Sequence, residues 1–412
     1  MLQHLAFFDA LAEETDEQSA RWRQLSAGLL VLRLFDSWLR QLSRGEAPPE
    51  PGRVAAVRAV VEGIDGESTV RPVLLGLLEA MRSPGGGRRR DVVRGHLLAY
   101  AKRLQFDAWW RPAADVYRTF VESREPHDVS TEAMEAAFQC GYCYRMAGDI
   151  DEASTAYDLG EAIATAARDT FGMLRARVCQ AKLTAHRGNL PKAEAELDDV
   201  IQAAEAADCR RALSLALTDR MAVAGQRGQY EAAAVFGYRA LSHCEDALAR
   251  EAILSDIATA LGDAGHRDAS RDAHLVLSAT AKDKAVAWRS TLNLLELAIS
   301  DGNEIEFERY RRTLAKAALP AAILAKYHLV VGDGYQRFGK LSLAHDAYET
   351  AIETSSKHRV NEILLRAEAA LQELHYSRSA QPATSAPASL EVTIDEVISA
   401  MRTMRASTVV GA

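Results

Sequence analysis

The sequence predicts an all-α chain: an N-terminal helical bundle followed by a solenoid of about seven helical hairpins. Three observations carry that reading. A glycine returns at a near-constant interval from Gly148 to Gly339. Small and aromatic residues keep fixed offsets from it. The composition, 48% apolar and 26% charged, suits a folded globular chain rather than a disordered or membrane-spanning one.

Residues 1–82 read as about four helices without the repeat signature. The longest runs from about Asp16 to Arg44, where Trp22, Leu25, Leu29, Leu32, Phe35, Leu39 and Leu42 recur at three- or four-residue steps and mark a buried face. A second stripe, Leu30, Leu34 and Trp38, predicts burial on more than one side. Pro72 suits the first turn of a helix ending near Arg82, where its missing N–H costs nothing. Residues 83–90, Ser-Pro-Gly-Gly-Gly-Arg-Arg-Arg, combine breakers with a charge run and are expected to be a hinge between domains.

The repeat array is expected over residues 91–376. Gly148, Gly188, Gly228, Gly265, Gly302 and Gly339 are spaced by 40, 40, 37, 37 and 37 residues. Five residues after them stand Ala153, Ala193, Ala233, Ser270 and Ala344, with Phe307 as the misfit. Nine residues after the glycine an aromatic recurs as Tyr157 and Tyr348. Seven before it a small residue recurs as Gly141, Ala181, Ala258 and Gly332. Forty residues ahead of Gly148 stands Ala108, followed by Ala113 and Tyr117, which marks a seventh, degenerate repeat. Each hairpin would expose an apolar face alone, so the hairpins must stack.

Residues 377–390 are rich in Ala, Ser and Pro and are expected to be a flexible linker. Residues 391–412 are expected to hold an amphipathic helix. Thr393 and Glu396 form a capping box there, and Ile394, Val397, Ile398, Met401 and Met404 make its apolar stripe.

The spacing of small, glycine, alanine and aromatic positions resembles the tetratricopeptide repeat, most clearly in GYCYRMAGDIDEASTAYD and GDGYQRFGKLSLAHDAYETAI. The resemblance covers roughly Asp91 to Tyr376. The period is longer than the usual ~34 residues, and the closing proline appears only approximately, as Pro126 and Pro320. The likeness implies a right-handed α-solenoid in which the first helix of each pair lines a concave groove. Mapped onto this chain, the family's ligand-facing offsets imply Lys102, Phe138, Tyr142, Arg145, Arg175 and Lys182 in the first repeats. Asp219, Asp256 and Asp263 follow in the middle, then Asn293, Glu296, Lys326, Asp333 and Arg337. The implied groove is basic and then acidic. The family's carboxylate clamp is not reproduced in consecutive repeats, which argues against a chaperone-tail partner.

Charge and motif content exclude several function classes. A net charge of −8 makes a nucleic-acid partner unlikely, since such binding leans on Lys and Arg neutralising phosphates. The first residues lack the features of a signal peptide, and no stretch approaches the ~20 apolar residues that span a bilayer. A cytoplasmic location is expected, which the five scattered cysteines also suit. Cys140 and Cys143 have CxxC spacing but sit within a helical pattern with no second ligand pair, so they are expected to pack. No nucleophile elbow, metalloprotease motif or dinucleotide fingerprint appears. No catalytic residue, metal or cofactor is expected.

The sequence therefore predicts a non-enzymatic adaptor or regulator that holds a protein or peptide in its groove. The order of bundle, hinge and repeats is also similar to the peptide-sensing Rap regulators of bacteria. That likeness implies an alternative: a peptide-responsive regulator or phosphatase acting through an exposed Gln, Glu or Asp of residues 1–82. A third expectation is a structural homo-oligomer joined through the C-terminal helix, which could dock on its own chain or a neighbour.

Overall fold

The computed structural model describes residues 4–14, 16–44, 49–82, 87–125, 128–358, 360–376 and 394–409. The expected linker, Thr393, Pro126 and most of the Ser83–Gly87 breakers lie outside them. All regular structure among the described residues is helical. The helices fall into two compact units, Met1–Asn189 and Leu190–Ala412.

The first unit opens with α1 (Leu5–Ala12), α2 (Ala20–Ser43), α3 (Pro51–Glu62) and α4 (Val70–Arg82). Helix α2 starts at Ser19, whose hydroxyl accepts from the Trp22 amide at 3.0 Å and satisfies one of the orphan donors of the first turn. Its predicted stripe is buried through Leu25, Leu29, Leu32 and Phe35, and its second stripe through Leu34 and Trp38. Leu30 and Leu42 are exposed instead, because they fall at the edges of the two contact faces. Pro72 lies in the first turn of α4 as expected. Then come α5 (Gly87–Phe106), α6 (Trp110–Glu122), α7 (Thr131–Ala147), α8 (Ile150–Ala167) and α9 (Thr170–His186). Arg88, Arg89 and Arg90 thus belong to the first turn of α5, and the Arg90 guanidinium pairs with Glu125. One hydrophobic core runs from Phe7 through Phe35, Leu78, Leu97 and Phe120 to Tyr157 and Leu183. The N-terminal helices and the first hairpins are therefore packed as one body.

The second unit holds α10 (Leu190–Ala206), α11 (Arg210–Gln226), α12 (Tyr230–His243), α13 (Ala247–Asp263), α14 (Arg267–Thr280), α15 (Lys284–Ser300) and α16 (Glu304–Ala315). It continues with α17 (Ala321–Arg337), α18 (Leu341–His358), α19 (Asn361–Tyr376) and α20 (Ile394–Val409). Helices α11 to α19 pack each on the next in chain order, and alternate helices α13, α15, α17 and α19 also touch.

The recurring glycines are the turn residues of the hairpins. Gly148, Gly188, Gly228, Gly265, Gly302 and Gly339 all have positive φ, between 68° and 89°. In each turn the following amide closes a six-residue loop onto the preceding helix, as Asp149 N donates to Tyr144 O at 2.9 Å. Ala108 takes the same left-handed conformation at φ 59°, and Trp109 N donates to Leu104 O at 2.9 Å. The degenerate repeat has kept the turn and lost the glycine. Because an L side chain there strains the backbone by about 1 kcal/mol, Ala108→Gly is expected to raise stability by roughly that amount. Gly148→Ala, with open space around the new methyl, is expected to lower it similarly. Urea unfolding of the two variants checks both signs.

The fixed offsets are packing devices. Gly141 and Gly332 each receive the ring of the tyrosine sixteen residues on. A Cβ at Gly141 would lie 2.3 Å from Tyr157 Cε1, and one at Gly332 would lie 2.4 Å from Tyr348 Cε1. The misfit Phe307 has its own glycine: it is fully buried, and a Cβ at Gly334 would lie 2.2 Å from its ring.

Candidate ligand-binding surface

Each expected groove residue sits on the first helix of a hairpin, and each unit presents its own group. In the first unit, Lys102 is exposed on α5, while Tyr142 and Arg145 are half-buried on α7 and Arg175 and Lys182 on α9. Phe138 corrects the expectation. It is 1% exposed, because its ring packs against Gly160 and Tyr157 and lies under the Arg175 guanidinium, 4.4 Å from the ring centre. Arg175 is itself held by Glu135, with Nη2 3.1 Å from Oε1, so most of its charge is answered within the protein.

Arg145 is different. Its guanidinium lies 5.2 Å from the Tyr142 ring centre and reaches His186 Nε2 at 2.8 Å. As Arg145 can only donate, His186 accepts and is neutral. Burial, with the nearby Arg145 and Lys182 charges, holds the His186 pKa below its ordinary value, which agrees with that role. No carboxylate pairs with Arg145 among the described residues, and its Nε is buried without a hydrogen-bond partner. Tyr142 is braced in turn by Trp110, edge-on at 5.9 Å. The result is an aromatic shelf bearing a guanidinium with no carboxylate partner among the described residues, with Lys182 in the same field.

In the second unit the sign reverses. Asp256 and Asp263 are exposed on α13, Asn293 and Glu296 half-buried on α15, and Lys326 and Asp333 half-buried on α17, where Arg337 is exposed. Asp219 on α11 is 8% exposed and so corrects a second expectation. Lys326 Nζ pairs with Glu296 Oε1 at 3.2 Å. Loss of water around the Asp263 carboxyl and the neighbouring Glu296 raise its pKa, against the pull of Lys326. Burial also raises that of Asp333, although the Tyr348 hydroxyl donates to it at 2.8 Å. Asn293 is committed to structure: its Nδ2 donates to Thr259 Oγ1 at 2.9 Å and to His274 Nε2 at 3.1 Å. Burial and Lys326 push the His274 pKa down to about 4, so this ring is a neutral acceptor. Glu296 thus lies in the field of both Asp263 and Asp333, with Lys326 the cation near Asp263 and Arg366 the cation near Asp333.

Sequence reasoning missed His186, Trp110, Glu135 and His274. His186 stands four residues after Lys182 and so on the same helix face, which is a readable signal. Glu135, three residues before Phe138 on α7, is readable in the same way, whereas Trp110 and His274 act from second helices and leave no such trace. Cys140 and Cys143 are 3% and 0% exposed, and burial pushes the Cys143 thiol up to about 12, which keeps it protonated and inert.

These hairpins, with glycine turns and small-to-aromatic contacts, form an all-helical repeat fold like that of tetratricopeptide-repeat proteins. No protein-family model and no curated protein matches the sequence. Among solved structures, the Rap conjugation gene regulator of the plasmid pLS20, in complex with the Phr* peptide, is similar at 13% identity with a TM-score of 0.51. The match covers 82% of this chain and 98% of that one. The apo form of RapI matches at 13% identity and a TM-score of 0.48, covering 80% of this chain and 98% of its own. A tetratricopeptide repeat protein from Parabacteroides merdae matches at 14% and 0.43, covering 67% and 98%. The architecture of this chain accordingly resembles that of the Rap-type regulators. No helix among the described residues is long and apolar enough to cross a membrane.

Proposed function

We propose that this chain is a non-enzymatic regulator or adaptor that binds a protein or peptide on the first-helix faces of its hairpins. The observation that carries the reading is Arg145: a guanidinium with no carboxylate partner among the described residues, beside Tyr142 and Lys182, suits a ligand carboxylate. The carboxylates Asp263 and Asp333, with Glu296 beside them, suit a cationic side chain, which would compete there with Lys326 and Arg366. That the pLS20 regulator of similar fold was solved with a peptide supports a peptide as ligand. A charged hydrogen bond of this kind contributes about 1.5–3 kcal/mol. The expected result is therefore that Arg145→Ala weakens binding at least about tenfold, and the triple variant Tyr142→Ala, Arg145→Ala, Lys182→Ala abolishes it, with helicity and melting unchanged. Capture from native extract, followed by titration of the identified partner, is the measurement. Retention of the same partner at the same affinity would sink the reading.

A second reading is Rap-like: ligand held on α7 and α9 alters what α1–α4 present to another protein. The continuous core from Phe7 to Leu183 supports it, since it supplies the packed contacts through which such coupling would have to travel.

A further inference from the structure

The second unit buries a histidine that the ligand contacts named above do not use. His274 is on α14, a second helix, and is 1% exposed. Its ring makes one hydrogen bond among the described residues, with Asn293 Nδ2 at 3.1 Å from its Nε2, and its Nδ1 is buried without a hydrogen-bond partner. Burying an imidazole for a single bond costs more than burying a leucine of similar size. What the ring contributes lies in its partner.

Asn293 is on α15 and half-buried. Its second contact is Thr259 Oγ1 on α13, at 2.9 Å. The Thr259 hydroxyl gives its one proton to Ser255 O at 3.0 Å, so towards Asn293 it can only accept. Thr259 therefore fixes the Asn293 amino group inward. The neutral His274 ring, its proton on Nδ1, accepts the other Nδ2 hydrogen at Nε2. Both donors of the amide are thereby used. The Oδ1 oxygen is left on the outer side, neither hydrogen-bonded to a described residue nor sealed from solvent.

The surroundings of Oδ1 select the kind of donor it can receive. Glu296 stands one turn on from Asn293 along α15, and Asp263 one turn on from Thr259 along α13, each on the same helix face as its neighbour. Loss of water and the Glu296 charge raise the Asp263 pKa in spite of Lys326, so a further positive charge is welcome there. Oδ1 and the two carboxylates present acceptors only. An ammonium or guanidinium group, which carries donors and no acceptor, is their complement.

We propose that His274 is a positioning residue: by holding the Asn293 amino group inward it offers Oδ1 to the ligand, and so makes this part of the face selective for a cationic side chain of a bound peptide. The proposal rests on the reading of the first-helix faces as the ligand-binding surface, and it adds the residue that sets the selectivity. Lys326 keeps its pairing with Glu296, while Asp263 and Oδ1 receive the ligand cation.

The probe is a fluorescein-labelled peptide of alternating glycine and lysine, compared by anisotropy with the same peptide acetylated on its lysines, at physiological ionic strength. The parent chain is expected to bind the first and not the second. Asn293→Ala is expected to weaken binding about tenfold, the share of one hydrogen bond to a charged group. His274→Leu, which fills the space and cannot accept, is expected to weaken it at least about threefold. His274→Gln, whose Oε1 can stand in for Nε2, is expected to restore binding. In the Asn293→Ala chain, His274→Leu is expected to add nothing. Helicity and melting are compared throughout, which separates a packing loss from a loss of orientation. Equal binding of the two peptides, full affinity in His274→Leu, no recovery in His274→Gln, or the same weakening by His274→Leu with and without Asn293 overturns the proposal. Any of these leaves the capture experiment at Arg145 standing, because that residue belongs to the other unit. Failed capture with the lysine pattern intact strikes the Arg145 reading alone.

Discussion

Replacing His4 by alanine is expected to be among the most destabilising single changes in the first unit, at about 3 kcal/mol or more, because it leaves two buried carboxylates facing each other. His4 precedes α1 and is 3% exposed. Its Nε2 lies 2.9 Å from Asp36 of α2, and its Nδ1 lies 3.2 Å from Asp115 of α6. Arg118 adds a second cation, 2.8 Å from Asp115. His4 is also held at φ 63°, a costly conformation for a residue with a Cβ, which the two ring contacts keep in place. One side chain thereby ties the start of α1 to α2 and to α6, the last of these more than a hundred residues on.

The pH dependence follows from the same contacts. Burial by itself would lower the His4 pKa, but the hydrogen bonds and charges of Asp115 and Asp36 together outweigh it and raise the value from 6.5 to about 9. A pKa raised in the folded state means that the contribution is complete below about 6.5 and is lost as pH rises through about 9. The shift corresponds to about 3 kcal/mol, in line with the mutational figure. Four of the five tryptophans, Trp22, Trp38, Trp109 and Trp110, lie in the first unit, so denaturation followed by fluorescence reports on it. The stability gap between the parent and His4→Ala should narrow from pH 6 to pH 10. A constant gap would show that His4 does not carry a charge in the folded state.

Gly141→Leu is the second large effect, roughly 3 kcal/mol from overpacking against the Tyr157 ring. The argument is steric, since even a bare Cβ would meet that ring at 2.3 Å. Combining the change with Tyr157→Ala should recover much of the loss, and the coupling energy of the double-mutant cycle measures the contact itself. Additive losses would mean that the two positions do not meet. Gly332 and Tyr348 predict the same pattern in the second unit.

Much of the repeat fold was legible because its rules are local. A left-handed turn selects glycine, so the period of Gly148 to Gly339 reports the hairpins directly. The pairing of Gly141 with Tyr157 is equally visible, as both lie at fixed distances from one turn. Phe307 read as a misfit because its compensating Gly334 lies in the next hairpin. Phe138 read as a groove residue because its offset is right, whereas its burial depends on Gly160 and Arg175 from other helices. Arg145 and Arg175 read alike in sequence, and only Glu135, at a distance of forty residues from Arg175, separates an answered charge from an open one.

What the sequence by itself determined is the all-helical class, the hairpin period, the turn positions, the long N-terminal helix and the amphipathic C-terminal one. Each of these is set by interactions within a few turns of chain: φ at a glycine, a cap at Ser19, apolar spacing of three and four. Only the tertiary structure decided that one core joins α1–α4 to the first hairpins, that His4 sits between Asp36 and Asp115, and that α20 lies on α12 and α14. Those outcomes depend on contacts between residues tens to more than a hundred positions apart, and local periodicity holds no record of which distant faces will meet.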